Sequence, residues 1–278
     1  MTAVLAFSPS ASELALVVAT LRSAGCVFAE DEARLLASAA STSDDLAAMT
    51  NRRASGLPLE QVVGWAEFCG LRIVVSPGVF VPRRRSEFLV REATKLGRAI
   101  ATAANRSQEA QTHYVVLDMC CGSGAIGVAL AAALGGAELH AVDVDPVAAT
   151  CARRNLAAVG EVYEGSLYEP LPSALHGRID LLVANAPYVP TDEIHLMPAE
   201  ARLHEPRVAL DGGPDGVEIH RRVAAGALDW LSPRGRLLIE TSEGQAPLTT
   251  EAVTHSGLTA EVVTDRDWAA AVVIGSRP

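Results

Sequence analysis

Between positions 114 and 274, short apolar runs of strand length alternate with helical stretches, and this order restricts the chain to a small group of folds. The spacing predicts strands over 114–119, 138–142, 161–163, 179–184, 236–241, 259–264 and 270–274, and helices over 125–134, 146–158, 217–231 and 246–256. Pro146 stands in the first turn of its helix, where a missing N–H leaves no bond unmade. Strands that alternate with helices make an α/β fold, a mainly parallel sheet covered on both faces. Ligands of such sheets sit beyond the carboxyl ends of the strands, where the strand order reverses. The strand ends are therefore the places to look for chemistry.

The chain ahead of this region is different. Leu14, Val17, Val18 and Leu21 recur at helical spacing and end at a capping Gly25. A second helix is expected from about Glu30 through Leu35, Leu36 and Ala39, and a third from Ser43 through Leu46 and Met49 to Gly56. These make residues 1–58 a small helical bundle whose apolar stripes form its own core. From Val62 to Phe80 the period becomes that of strands, with Gly70 at a tight turn, so 59–82 is expected to be a β-hairpin linker to a larger unit over 83–278. A helix over 85–100 follows Val81-Pro82, and the alanine-rich stretch 101–113 has no apolar period and reads as a loop or a frayed helix end.

Composition removes several classes of function. Acidic residues outnumber basic ones, 33 to 23, for a net charge of −10, which opposes stable nonspecific binding to nucleic acid. The basic residues near Arg83, Arg84, Arg85, Arg91, Lys95 and Arg98 read as a solvated helix start rather than a polyanion site. No apolar run reaches the roughly 20 residues that span a bilayer, and the N-terminus has no basic leader, so no membrane association and a cytoplasmic location are expected. The five cysteines form no CxxC pair, which argues against a disulfide framework or a zinc site and leads us to expect no metal.

Asp118-Met119-Cys120-Cys121-Gly122-Ser123-Gly124 lies where the first parallel strand turns into its helix. Gly122 and Gly124 allow close backbone approach to a ligand, and the helix start offers free N–H groups. The spacing is neither GxGxxG nor that of a phosphate loop, and no lysine stands where a phosphate would be held. The next strand ends in Asp143, about twenty residues on, well placed to accept hydrogen bonds from ribose hydroxyls, while Asp145 caps the helix at Pro146. A glycine turn, a ribose acid and no phosphate cradle fit an adenosine-type cofactor such as S-adenosyl-L-methionine. Further on, the apolar run 179–184 ends in Asn185-Ala186-Pro187-Tyr188, because proline does not continue a central strand. Read alone, this is either a strand end aimed at a ligand or a plain exit into a loop.

DMCCGSG (118–124), AVDVDP (141–146), ANAPYVP (184–190) and LLIETSEGQ (237–245), in this order and spacing, resemble the class I S-adenosylmethionine-dependent methyltransferases. More narrowly, they are similar to the protein-glutamine N5-methyltransferases of the PrmC/HemK family, which modify the GGQ loop of peptide-chain release factors. The resemblance extends to GVFVPR (78–83) and to EPRVALDGG (205–213) with Asp215-Gly216, both more selective than the methyl-donor motif. It implies a Rossmann-like, mainly parallel seven-stranded sheet with a small N-terminal helical bundle and a β-hairpin linker. It also implies that Asp118, Cys120, Gly122 and Gly124 line the methionine and ribose side of the cofactor, that Asp143 with Val144 holds the ribose, and that Ser166 and Leu167 lie near the adenine. Asn185, Ala186, Pro187 and Tyr188 would hold the substrate amide, with Asn185 also facing the cofactor. The product would be S-adenosyl-L-homocysteine, and the partner a release factor.

The chain departs from the family pattern at Ala186, where NPPY has its first proline, at Arg84-Arg85-Ser86, where proline, an acid and threonine usually stand, and at Ser166-Leu167 and Arg234. At position 186 the expected chemistry needs a main-chain carbonyl, which alanine supplies, and Pro187 still favours extended geometry there. Glu240 is expected either to meet substrate or to cap a turn, and His195 and His204 read as structural or solvated. Two other functions fit part of the pattern. One is methylation of an exocyclic base amine such as adenine N6, which presents two N–H groups as an amide does. The other is a relative that binds the cofactor without turnover.

Overall fold

The structure, a computed structural model, describes residues 7–106 and 114–278. Three helices, α1 (Ala11–Ser23), α2 (Ala29–Ala39) and α3 (Ser43–Ala54), open the chain. Ser10 begins α1 with a capping box in which its hydroxyl accepts from the Glu13 N–H and the Glu13 carboxylate accepts from the Ser10 N–H. Val17, Leu21, Ala33, Leu36, Leu46 and Met49 meet in a core belonging to the bundle itself, as the helical spacing predicts. Val62 joins that core because Leu59–Val63 forms a short helix, α4, ended by Gly64 at a φ of 83°. This corrects the expectation of a strand period from Val62: the hairpin starts later, with β1 (Trp65–Phe68) pairing β2 (Leu71–Val74).

Phe68 and Ile73 of the hairpin are buried in the core of the larger unit. Asn155, on α7 (Pro146–Leu156), fastens it there: its Oδ1 accepts from the Val74 N–H at 2.9 Å, and its Nδ2 donates to the Val74 carbonyl at 2.9 Å and the Ser123 carbonyl at 2.8 Å. One side chain thus joins the hairpin to the glycine turn. The helix expected over 85–100 is preceded by a 3-10 turn, Arg84–Ser86, and runs as α5 (Glu87–Arg106). The first part of the stretch 101–113 is therefore a helix end, one of the two readings its composition allowed, and 107–113 lie outside the described residues.

The remaining elements are β3 (Val115–Met119), α6 (Ala125–Leu134), β4 (Glu138–Asp143), β5 (Gly160–Glu164), β6 (Ile179–Ala184), α8 (Ala199–His204), α9 (Glu218–Trp230), β7 (Leu231–Thr241), α10 (Ala246–His255), β8 (Thr259–Asp265) and β9 (Ala270–Ser276). Their order in the seven-stranded sheet is β5-β4-β3-β6-β7-β9-β8. All neighbours from β5 to β7 are parallel, and β9 runs antiparallel between β7 and β8. Alternate residues point to opposite faces, so Val116, Leu181 and Val183 pack with α5 and α6 while Leu117, Met119, Leu182 and Ala184 pack with α9. Burial of the sheet on both faces explains why its central strands read as unbroken apolar runs.

From β3 the chain works outward to β4 and β5, and from β6 it works the other way. The order reverses between β3 and β6, and the ends of these two strands and β4 converge there.

Candidate active site

A cleft of about 320 Å³ opens at that reversal. Its walls include Cys120, Gly122, Asp143, Val144, Ser166, Leu167 and all of Asn185, Ala186, Pro187 and Tyr188, residues up to 68 positions apart that the sheet brings together. Asp118 and Gly124, expected on the cofactor side, lie behind this wall. Gly124 has a φ of 77°, and a Cβ there would meet Leu156 Cδ1 at 3.0 Å, so its role in the fold is close packing of turn on helix. Gly122 is different: with a φ of 56°, a Cβ there would meet nothing within 4 Å. Its bare Cα faces space that a bound group is free to enter.

Asp143 is tied into the turn, accepting from the Gly122 N–H at 2.8 Å through Oδ2 and from the Asp145 N–H at 2.9 Å through Oδ1. Burial raises its pKa, and these N–H groups offset only part of the rise. Each oxygen keeps a lone pair for a hydroxyl group. Asp145 caps α7 at the Val147 N–H, 2.9 Å away, as its place before Pro146 predicts. Arg222 donates to Ser166 Oγ at 2.8 Å, and Leu167 stands at a φ of 49°, so the segment after β5 is bent into the cleft. An open cradle at Gly122, a rim carboxylate and an apolar wall fit an adenosine-type group, and among the described residues no cluster suited to a metal occurs.

Asp118 is fully buried. Its Oδ2 accepts from the Gly127 N–H at 2.8 Å, its Oδ1 has no partner, and burial raises its pKa to about 7. A native carboxyl that protonates more readily than the unfolded one costs stability as pH rises from about 4 through 7. Asp118→Asn should therefore gain on the parent in melting temperature between pH 5 and pH 8, measured without ligand. A difference that stayed flat across that range would show that the carboxyl is not perturbed.

Asn185 leaves the end of β6 with its Nδ2 donating to Ser86 Oγ at 3.1 Å. Tyr188 accepts a hydrogen bond from Arg85, whose guanidinium also lies 5.5 Å above its ring, and burial pushes the phenol up to about 12. Behind Ala186 sits His220, fully buried, with Nδ1 2.9 Å from Thr249 Oγ1. Burial pushes His220 down to about 4, opposed by the adjoining Ala186 main chain, so the imidazole is neutral.

The backbone after Asn185 is held by the 205–213 stretch and by Gln245, and the 78–83 stretch is tied in turn to Glu205. Val189 donates to the Leu210 carbonyl at 3.0 Å, Gly212 to the Val189 carbonyl at 2.9 Å and Thr191 to the Gly213 carbonyl at 2.9 Å. Gln245 donates to the Tyr188 carbonyl at 2.7 Å. On the opposite wall, the Glu205 carboxylate accepts from Arg83 through both oxygens at 2.6 Å and from the Val81 N–H at 3.2 Å. Each such bond contributes about 1 kcal/mol net, more where charged, so together they keep both loops fixed.

Four of the six basic residues of 83–98 make such pairings, Arg83 with Glu205, Arg85 with Glu240 and Tyr188, Arg91 with Asp265, and Lys95 with Glu92, while Arg84 lies over the Trp268 ring and Arg98 donates to the Ala133 carbonyl. His195 and His204 do not line the cleft. Residues with no site role expected from the sequence also face it, among them Phe68, Phe80, Arg85, Ser86, Met197 and Arg222. The departure at Arg84-Arg85-Ser86 was a signal for two of these and the stretch 78–83 for Phe80. Among the described residues no helix is long and apolar enough to cross a membrane.

The family model for the methyltransferase small domain matches residues 100–216. A release factor glutamine methyltransferase from Gloeobacter violaceus is 36% identical over 81% of this chain and 76% of its own length. Another from Geobacter sulfurreducens is 42% identical over 70% of this chain, and the match spans 64% of that relative, a little under two thirds. A methyltransferase structure from Pyrococcus furiosus shares the fold at a TM-score of 0.52 and 16% identity, over 74% of this chain and 88% of that one. The chain belongs to the release factor glutamine methyltransferase family.

Proposed function

We propose that this chain transfers the methyl group of S-adenosyl-L-methionine to the side-chain amide nitrogen (N5) of a glutamine in a peptide-chain release factor, leaving S-adenosyl-L-homocysteine. The observation that carries the reading is Asn185: its amide nitrogen is committed to Ser86, so its oxygen is left for the cleft, across from Gly122 and Asp143. Gly122, Asp143, Val144, Ser166 and Leu167 would hold the cofactor. When bound, it supplies an electrophilic methyl group on a sulfonium centre.

A carboxamide nitrogen is a poor nucleophile because its lone pair is delocalised into the carbonyl. Asn185 Oδ1 and the Ala186 carbonyl each accept one N–H of the substrate amide and fix its remaining face. Orientation of this kind supplies several kcal/mol without a strong base. Positive charge grows on the nitrogen during transfer, so the same two acceptors bind more strongly in the transition state than before it. The surplus proton then passes to water. Tyr188, held by Arg85, closes one side against the amide plane, and the helical bundle over 1–58 grips the protein substrate.

The test is incubation with labelled cofactor and a release factor, the same factor with its GGQ glutamine replaced, tRNA or DNA, followed by location of the label by mass spectrometry. Label on the GGQ glutamine alone is expected. Label on nucleic acid only would sink the reading.

A further inference from the structure

An asparagine amide has an acceptor end and a donor end, and the mechanism above works with one orientation only. With Nδ2 toward the cleft, Asn185 would repel the substrate N–H groups instead of accepting from them. Ser86 sits directly behind it and is buried. Ser86 alone decides nothing, because a hydroxyl both donates and accepts.

The deciding group lies on the neighbouring strand. Glu240, near the end of β7, is 2% exposed and absent from the cleft wall, and neither of its oxygens has a partner in full hydrogen-bond geometry. Burial raises its pKa, and two donors face it and oppose that rise: the Ser86 hydroxyl and the Arg85 Nε 3.6 Å away. In its ionised form, which the Arg85 cation favours, the carboxylate only accepts, so the single Ser86 proton is drawn to it. Ser86 Oγ is then left as an acceptor, and an acceptor selects the NH₂ end of Asn185.

We propose that Glu240 and Ser86 are positioning residues for the Asn185 amide: the buried carboxylate orients the Ser86 hydroxyl, which takes the Asn185 nitrogen and turns its oxygen into the cleft. The inference rests on the glutamine-methylation reading for its catalytic consequence. It also gives a buried, poorly partnered carboxylate a reason to persist, since burying such a group costs stability.

The variants are Glu240→Leu and Ser86→Ala, which break the chain of bonds, and Glu240→Gln and Ser86→Thr, which keep an acceptor and a hydroxyl. In the first pair kcat for methyl transfer should fall roughly ten- to a hundredfold, as for other misplaced catalytic groups. The Kd for S-adenosyl-L-methionine should stay unchanged, and the melting temperature of Glu240→Leu should not drop, because an apolar residue there removes a buried charge while its partner Arg85 is half exposed and free to turn to water. The second pair should recover most of the rate, and Ser86→Ala with Glu240→Leu together should be no worse than either alone. Parental kcat in both breaking variants, or a joint collapse of kcat, cofactor affinity and melting temperature, overturns the proposal. Solvent exchange of the Asn185 side-chain NH₂ protons, assigned by their loss in Asn185→Asp, reads the orientation whatever the substrate is. Slow exchange in the parent and Ser86→Thr, with fast exchange in Ser86→Ala and Glu240→Leu, upholds the inference even if glutamine is not the group methylated. Equal exchange in all four overturns it.

Discussion

Asn185→Ala should lower kcat for methyl transfer by about 10²–10³-fold, the range seen when one preorganised transition-state partner is removed, while the Kd for S-adenosyl-L-methionine stays near the parental value. Two features of the site require this. The Asn185 amide is held by Ser86 from behind, so in the proposed mechanism its oxygen would need no reorganisation when charge develops on the substrate nitrogen. The residues that would hold the cofactor, Gly122, Asp143 and the bend at Ser166 and Leu167, are fixed by separate bonds that do not pass through Asn185. Single-turnover rates with saturating release factor, set beside calorimetric cofactor binding, separate the two quantities. An unchanged single-turnover rate would rule out the amide clamp.

Gly212→Ala should destabilise the fold by about 3 kcal/mol, the upper end for overpacking a tight site, and disable the cleft as well. A Cβ at 212 would lie 2.4 Å from the Gly216 oxygen, 2.7 Å from Tyr188 Cα and 2.8 Å from the Gly216 carbonyl carbon. All three are backbone atoms, so no side chain swings aside to make room. Relief comes only by pushing Tyr188 away or opening the 211–216 turn, and the turn carries the bonds that hold Val189 and Thr191. For a chain of this size the melting temperature should fall by roughly 6–12 °C, and methyl transfer should be lost even at temperatures where the variant is folded. Gly244→Ala is the control, because a Cβ there meets nothing within 4 Å. If Gly212→Ala melted with the parent, the close contact between the glycine run and the Asn185–Tyr188 loop would be wrong.

Asp143 and Asn185 were legible in the sequence for the same reason: one closes and the other follows a strand whose apolar run marks where it ends, and in a parallel sheet the strand end is where ligands meet protein. Gly122 was legible from its turn. Asp118 shows the limit of that logic, since its motif places it on the cofactor side but its carboxyl lies under the turn, against the Gly127 N–H. The helix Leu59–Val63 shows another limit. Val62 and Val63 are β-branched and favour strands, yet Val62 is held in a helix by burial in the bundle, a tertiary gain larger than a local propensity.

By itself, then, the sequence determined the alternation of elements, the glycine turn, the acid at the end of β4 and the amide at the end of β6, because each is written in residues within one element or its next turn. Only the tertiary structure decided what supports them. Asn185 meets Ser86 across 99 positions, Tyr188 is held by Gln245 across 57, and Glu205 reaches Arg83 across 122. Single buried polar contacts have no period and no fixed spacing, so they leave no pattern along the chain. They exist because a buried donor or acceptor left unpaired is costly, and the folded backbone alone determines which partner lies within reach.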